Sequence, residues 1–273
     1  MQLTTERLWH NSGVGRSFSS GGLKMSIRWL AILILTLSSS AFAFGLSDHQ
    51  LITRQAVAEY NVCAQAPLSD DALDELVREN LDEDLNLIRK WGHYSHYYHP
   101  EKPLQDLHRL NSSMRIVSLL ARMQRSQMGL DDLGHAIHHL QDMASPPHVV
   151  PVRHGLNDGF EGFDLNPTEQ PFWEMSAERC AGLESWRASF RGDLMTLLDE
   201  AALETLQRAR TPWAQLFWIE RSGPRFGAYG SLGNSFGKEG TGFPRSEFAT
   251  FKRNQLRLAV DTTKRALVWA YGL

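Results

Sequence analysis

Cysteine is scarce in this 273-residue chain: Cys63 and Cys180 are all it has, and neither has a second thiol at short spacing. That excludes the zinc ribbons, zinc fingers and iron–sulfur motifs built on closely spaced cysteines. Long hydrophobic runs are missing too. The apolar stretch from Trp29 to Leu37 falls well short of the roughly 20 residues a membrane-spanning helix needs. Charge of one sign is not in excess, with 28 Lys and Arg against 31 Asp and Glu, which excludes a nucleic-acid surface held by bulk positive charge. No alternating apolar–polar pattern of useful length and no internal repeat occurs, which argues against a β-sheet protein or a solenoid.

From Met25 the chain reads MSIRWLAILILTLSSSAFA, with Arg28 as a short basic start, then the apolar run, then small residues ending in Ala41-Phe42-Ala43. This is the pattern of a secretory signal peptide cleaved after Ala43, with Met25 as the expected start and residues 1–24 as an upstream extension. Two regions follow: 1–43, removed on export, and 44–273, the mature domain, expected in the periplasm or outside the cell. Removing 1–43 takes four basic side chains and one acidic one, leaving the mature chain at −6. In an oxidising compartment Cys63 and Cys180 are expected to pair, with two buried free thiols as the alternative.

The mature chain reads as helices. Ser47 or Asp48 is positioned to cap a first one with apolar residues at Leu51, Ile52, Ala56, Val57 and Tyr60. Ser69 precedes DDALDELVREN, acidic in its first turn. A long amphipathic segment is expected from Gln105 to Gln127, with Met114, Ile116, Val117, Leu119, Leu120 and Met123 on its inner face. One or two helices are expected between Met175 and Arg210, and a short one after Pro212 containing Trp213, Phe217 and Trp218. A last helix is expected from about Ser246 to Tyr271. Between Arg221 and Pro244 lies a glycine-rich interval, too long for a mere connection and suited to lining or covering a cleft. The fold class is all-α, one domain.

Five of the eleven histidines fall between Asp131 and Asp164. His138 and Asp142, four residues apart, project from one face of a helix and can share a metal ion. Ser145, Pro146 and Pro147 interrupt that helix, letting His148 turn back toward the same site, and His154, Asp158 and Glu161 follow on a loop. His135 lies a turn earlier and His139 about 100° around the helix axis, and both read as outer neighbours of the site or as solvated residues. Further back, Asp82 and Asp84 precede a run with His93, His96 and His99. At the mature start, Phe44 would offer a free α-amine five residues before His49.

These pieces together resemble the zinc-dependent phospholipase C family and the related fungal single-strand nucleases. The match spans essentially the whole mature chain, through four short motifs: FGLSDH, DEDLNLIRKWGHYSHYYHP, His138-x3-Asp142-x5-His148, and RHGLNDGFEGF. Phe44 stands where the family usually has tryptophan; only its backbone atoms would bind. The resemblance implies an α-helical bundle holding three zinc ions. One would take Asp84 (or Asp82), His96, His138 and Asp142. A second would take His148, His154 and Glu161 (or Asp158), and a third the Phe44 amine and carbonyl, His49 and Asp142. It implies phosphodiester hydrolysis by a metal-activated water, with Asp84 as ligand and catalytic proton acceptor. Expected substrates are phospholipids or other phosphodiesters, with transient membrane-surface contact and no stable protein partner. Single-stranded nucleic acid is the alternative substrate, and a non-catalytic exported zinc-binding protein the alternative of another class.

Overall fold

In the computed structural model, which describes residues 44–86, 96–102, 111–125, 129–153, 158–170, 175–223 and 225–273, the segment LDDLGHAIHHLQD forms a helix buried at every position from Asp132 to Asp142. A helix enclosed on all sides is ordinarily apolar throughout. This one carries three histidines, a glutamine and two aspartates in that buried stretch, so its neighbours have to answer each polar group.

The order of elements is α1 (Leu46–Cys63), α2 (Asp70–Leu85), α3 (Ser112–Arg125), α4 (Leu130–Asp142, the buried helix), α5 (Pro146–Val149), α6 (Ala177–Ser189), α7 (Leu194–Ala209), β1 (Trp218–Ile219), β2 (Ala228–Tyr229) and α8 (Arg245–Tyr271). Single 3-10 turns occur at Pro167–Glu169 and Ala214–Leu216. β1 and β2 form a small antiparallel ribbon with Trp218 opposite Tyr229, so the fold is all-α. Helices α1, α2, α3, α7 and α8 pack around α4. The described residues belong to one compact unit; the expected leader, residues 1–43, lies outside them. No described helix is long and apolar enough to cross a membrane.

Local chemistry explains how α4 is framed. Ser69 caps α2 by accepting from Ala72 N, with Asp70 and Asp71 in the first turn against the helix dipole. A Cβ on Gly134 would lie 2.7 Å from Glu79 Cβ and 3.1 Å from the Leu76 carbonyl. Glycine there lets α2 and α4 approach closely, which one turn further on brings Asp84 toward His138. Helix α1 buries His49, Ile52, Thr53, Ala56 and Tyr60 along one stripe. Cys63, its last residue, is disulfide-bonded to Cys180 across 117 residues, which ties down α6, a helix with only Leu183 buried.

Four expectations are corrected. Helix α1 starts at Leu46, with Gly45 at its N-cap and no side-chain cap, so Ser47 and Asp48 lie inside its first turn, and the Asp48 carboxylate is engaged by Lys252 Nζ at 2.8 Å. Helix α3 begins at Ser112, where Asn111 Oδ1 accepts from Met114 N; residues 103–110 and 126–128 lie outside the described set. Met114 and Val117, expected inward, are exposed, while Ile116, Leu119 and Met123 make the inner face. The helix expected after Pro212 shrinks to one 3-10 turn, and Trp218 pairs in the ribbon, its ring packed against Phe217, Phe236 and Phe251.

Candidate metal centre

Asp142, at the C-terminal end of α4, is the hub. Its Oδ2 lies 3.4 Å from His138 Nε2 one turn back and 3.0 Å from His96 Nδ1, and its Oδ1 lies 3.4 Å from His49 Nε2 on α1. Asp84, near the end of α2, sits 3.8 Å from His96 Nδ1 and 3.9 Å from His138 Nε2. The His49 and His138 rings stack at 4.3 Å, and His138 Nε2 is 3.1 Å from His96 Nδ1. His49, Asp84, His138 and Asp142 are fully enclosed, while His96 keeps a partly open edge. Five donors from four segments thus meet in one place.

The protonation of His49 can be worked out from its neighbours. Thr53 Oγ1 donates to the His49 carbonyl, so it accepts from Gln141 Nε2 at 3.0 Å. Gln141 Nε2 also reaches Thr263 Oγ1, which fixes the amide with Oε1 toward His49 Nδ1 at 2.6 Å and toward Asn80 Nδ2 at 3.1 Å. An amide oxygen only accepts, so His49 Nδ1 carries the proton and Nε2 is a lone pair. Burial pushes the His49 pKa down to about 3, with the Gln141 hydrogen bond opposing and His96 and His148 adding to the fall. Buried and neutral, His49 Nε2 has no hydrogen-bond partner and faces the Asp142 carboxylate. Two electron-rich atoms confronting each other out of water are unfavourable alone and favourable around a cation. His138 is likewise held well below the ordinary imidazole range, chiefly by burial.

His148 enters from α5. Pro146 at its first position permits one turn after the break, and His148 Nδ1 donates to the His96 carbonyl at 2.5 Å. Its Nε2 is turned toward Glu161 Oε1 at 3.4 Å. Of the two acids considered for this position, Glu161 faces the histidine. Asp158 instead organises the turn, accepting from Phe160 N at 2.8 Å and from Tyr229 Oη at 2.6 Å. Similarly Asp84 is enclosed in the cluster, whereas Asp82 groups with Glu79 and His135 on the rim of α2. The Phe44 ring lies edge-on to His49 at 5.9 Å. His154 lies outside the described residues.

Several buried groups in this structure can therefore hold a metal ion: His49–His138–Asp142, Asp84–His96–His138 and, beside them, Glu83–His96–His139. No family model, curated protein or solved structure matches the chain. The geometry is what the site rests on.

His135 and His139 are not solvated; both are buried against Glu83. Burial works to raise the Glu83 carboxyl, but hydrogen bonds from His135 and His139, with the Arg115 guanidinium, hold it far below the usual range. Arg115 Nε donates to Glu83 Oε1 at 2.9 Å. This compensated cluster locks α2, α3 and α4 together directly beside Asp84.

Gln141, Thr53, Asn80, Thr263, Glu83 and Arg115 were not marked by the sequence pattern. The available signal was Gln141, a further polar residue directly before Asp142 in the helix already read as bearing ligands. Gln141→Met, which removes the acceptor holding the His49 ring, is expected to weaken metal binding about 10- to 100-fold, measured by competition with a chromophoric chelator.

The glycine-rich interval forms a wall next to Glu161. Asn234 Oδ1 accepts from Gly159 N, Tyr229 reaches Asp158, and Phe236 is buried among Phe160, Trp218 and Phe248. Gly237 has a φ of 74°, and any side chain there would strike the Phe163 ring.

Proposed function

We propose that this chain is an exported zinc-dependent phosphodiester hydrolase of the phospholipase C type, acting on phospholipid head groups. The observation that carries this reading is the neutral, partnerless His49 Nε2 facing Asp142 within a cluster of nitrogen and oxygen donors. Separations of 3.0 to 3.9 Å between neighbouring donors bracket the edge of about 3.3–3.4 Å that a tetrahedral zinc site with nitrogen ligands requires. Thiolates play no part, since both cysteines are in the disulfide, and sites lacking them suit catalytic more than structural zinc.

In this reading Asp84, His96, His138 and Asp142 hold one ion, His148, His154 and Glu161 a second, and the Phe44 amine and carbonyl with His49 and Asp142 a third. Zinc bound there supplies Lewis acidity toward phosphate oxygens and lowers the pKa of a coordinated water toward neutrality. The chain's own residues do the rest. Gln141 and the His96 carbonyl fix the His49 and His148 rings, and Asp158 with Tyr229 holds the turn that presents Glu161. Asp84 accepts the proton; it lies 3.8 Å from His96 Nδ1, and His96 is the most exposed of the four described imidazoles, offering a way out to solvent. The enclosing helices exclude bulk water, which strengthens every charge interaction within.

The experiment is a side-by-side assay of phosphatidylcholine vesicles, a soluble phosphodiester and single-stranded DNA, with His148→Ala as control. Turnover of the lipid and the soluble ester, lost in the variant, is the expected result. Turnover of DNA alone would assign the chain to the nuclease branch, and turnover of nothing would leave a zinc-binding protein.

A further inference from the structure

We propose that Lys252 is a positioning residue of the metal centre, a yoke that sets the segment bearing His49 against the segment bearing Glu161. This rests on the metal-centre reading and adds to it a residue that donates no ligand atom.

Lys252 is fully buried two turns into α8, a place lysine rarely occupies unless its charge is met. Its ammonium lies 2.8 Å from Asp48 Oδ2 and donates to the Phe160 carbonyl at 2.9 Å. It also sits over the faces of the Phe44 and Phe160 rings, at 4.8 and 4.5 Å from their centroids. Asp48 is the residue immediately before His49, and Phe160 the residue immediately before Glu161. One cation therefore grips the backbone or side chain next to two candidate ligands that are 112 positions apart in the chain.

An ordinary buried ion pair makes a different forecast. Replaced by an apolar side chain of similar volume, such a pair often costs little stability, and nothing about metal content should change. A yoke, when removed, leaves the fold in place but lets His49 and Glu161 drift, so ions depending on them are lost while the Asp84–His96–His138 group keeps its own.

The test compares the full chain with its Lys252→Met and Asp48→Asn variants. Bound zinc per chain is measured by elemental mass spectrometry, cobalt-substituted protein by its visible absorption, and folding by circular dichroism. The expected result is a folded Lys252→Met protein that loses at least one ion per chain, with at least tenfold weaker binding of what is lost, and an altered cobalt spectrum. A folded variant with unchanged ion count and spectrum would overturn the proposal while leaving the metal centre standing. Should Lys252→Met fail to fold, Asp48→Asn decides in the same way, loss of an ion supporting the yoke and an unchanged count and spectrum refuting it. Wild-type chain that binds no divalent ion would overturn the metal-centre reading and this inference with it.

Discussion

Stripping the protein of divalent ions with a chelator is expected to cut phosphodiester turnover by at least about 100- to 1000-fold, with zinc restoring it and magnesium failing to. The size follows from what remains when the ions are gone. Among the described residues the donors are carboxylates, which repel a phosphodiester, and imidazoles, of which His49 and His138 are held neutral by burial, so the described apo cluster offers little with which to bind or polarise the substrate. Magnesium fails because it prefers oxygen ligands and octahedral geometry, and this cluster offers at least three nitrogens within a few ångströms. Activity that survives removal of all bound zinc, verified by elemental analysis, would dispose of the proposed chemistry.

Asp142→Asn should reverse the order of stability between apo and zinc-loaded protein. In apo wild type the His49 lone pair confronts the Asp142 carboxylate 3.4 Å away. An asparagine amide can donate to that lone pair with its oxygen turned toward His96 Nδ1. Relief of the confrontation is expected to raise apo stability by about 1–3 kcal/mol, which for a domain of this size means several degrees in melting temperature. Adding zinc reverses the ranking. Wild type gains about 4 kcal/mol when free zinc stands at 1000 times Kd, whereas the variant, deprived of the carboxylate its imidazole neighbours share, gains little and loses activity. Thermal melts of both proteins with and without zinc read out the crossing. If the cluster were only a polar core, Asp142→Asn would melt lower under both conditions, and no crossing would appear.

How far the sequence could be read depended on the range of each interaction. The His138–Asp142 pair and the return of His148 after Pro146 were legible because helix period and proline chemistry act within a few residues. Choosing Asp84 over Asp82 was not, since both lie on α2 and the choice is made by how closely Gly134 lets α4 approach. Choosing Glu161 over Asp158 depends on Tyr229, which comes from 71 residues further along the chain. For His135 and His139 the pattern left open whether they neighbour the site or are solvated, for a related reason. A histidine's place inside or outside is settled by whether partners such as Glu83 and Arg115 arrive from other helices, and no periodicity encodes that. Met114 and Val117 are apolar residues that α3 leaves outside, a reminder that apolar character permits burial without compelling it. Lys252 is the converse, a charge inside α8 that only its tertiary partners explain.

Under the proposed function, the wall between Arg221 and Pro244 would bear on selectivity. Pinned by Asn234, Tyr229 and Phe236 to the turn that presents Glu161, it cannot swing aside as a hinged flap would without dislodging a member of the cluster. If the chain hydrolyses phosphodiesters as proposed, a substrate would meet a surface here whose contour is set in advance and would forfeit little entropy in ordering protein around itself. On that reading discrimination among esters would fall to steric match with this wall, and lengthening or shortening the loop would be expected to disturb both the wall and the turn that presents Glu161.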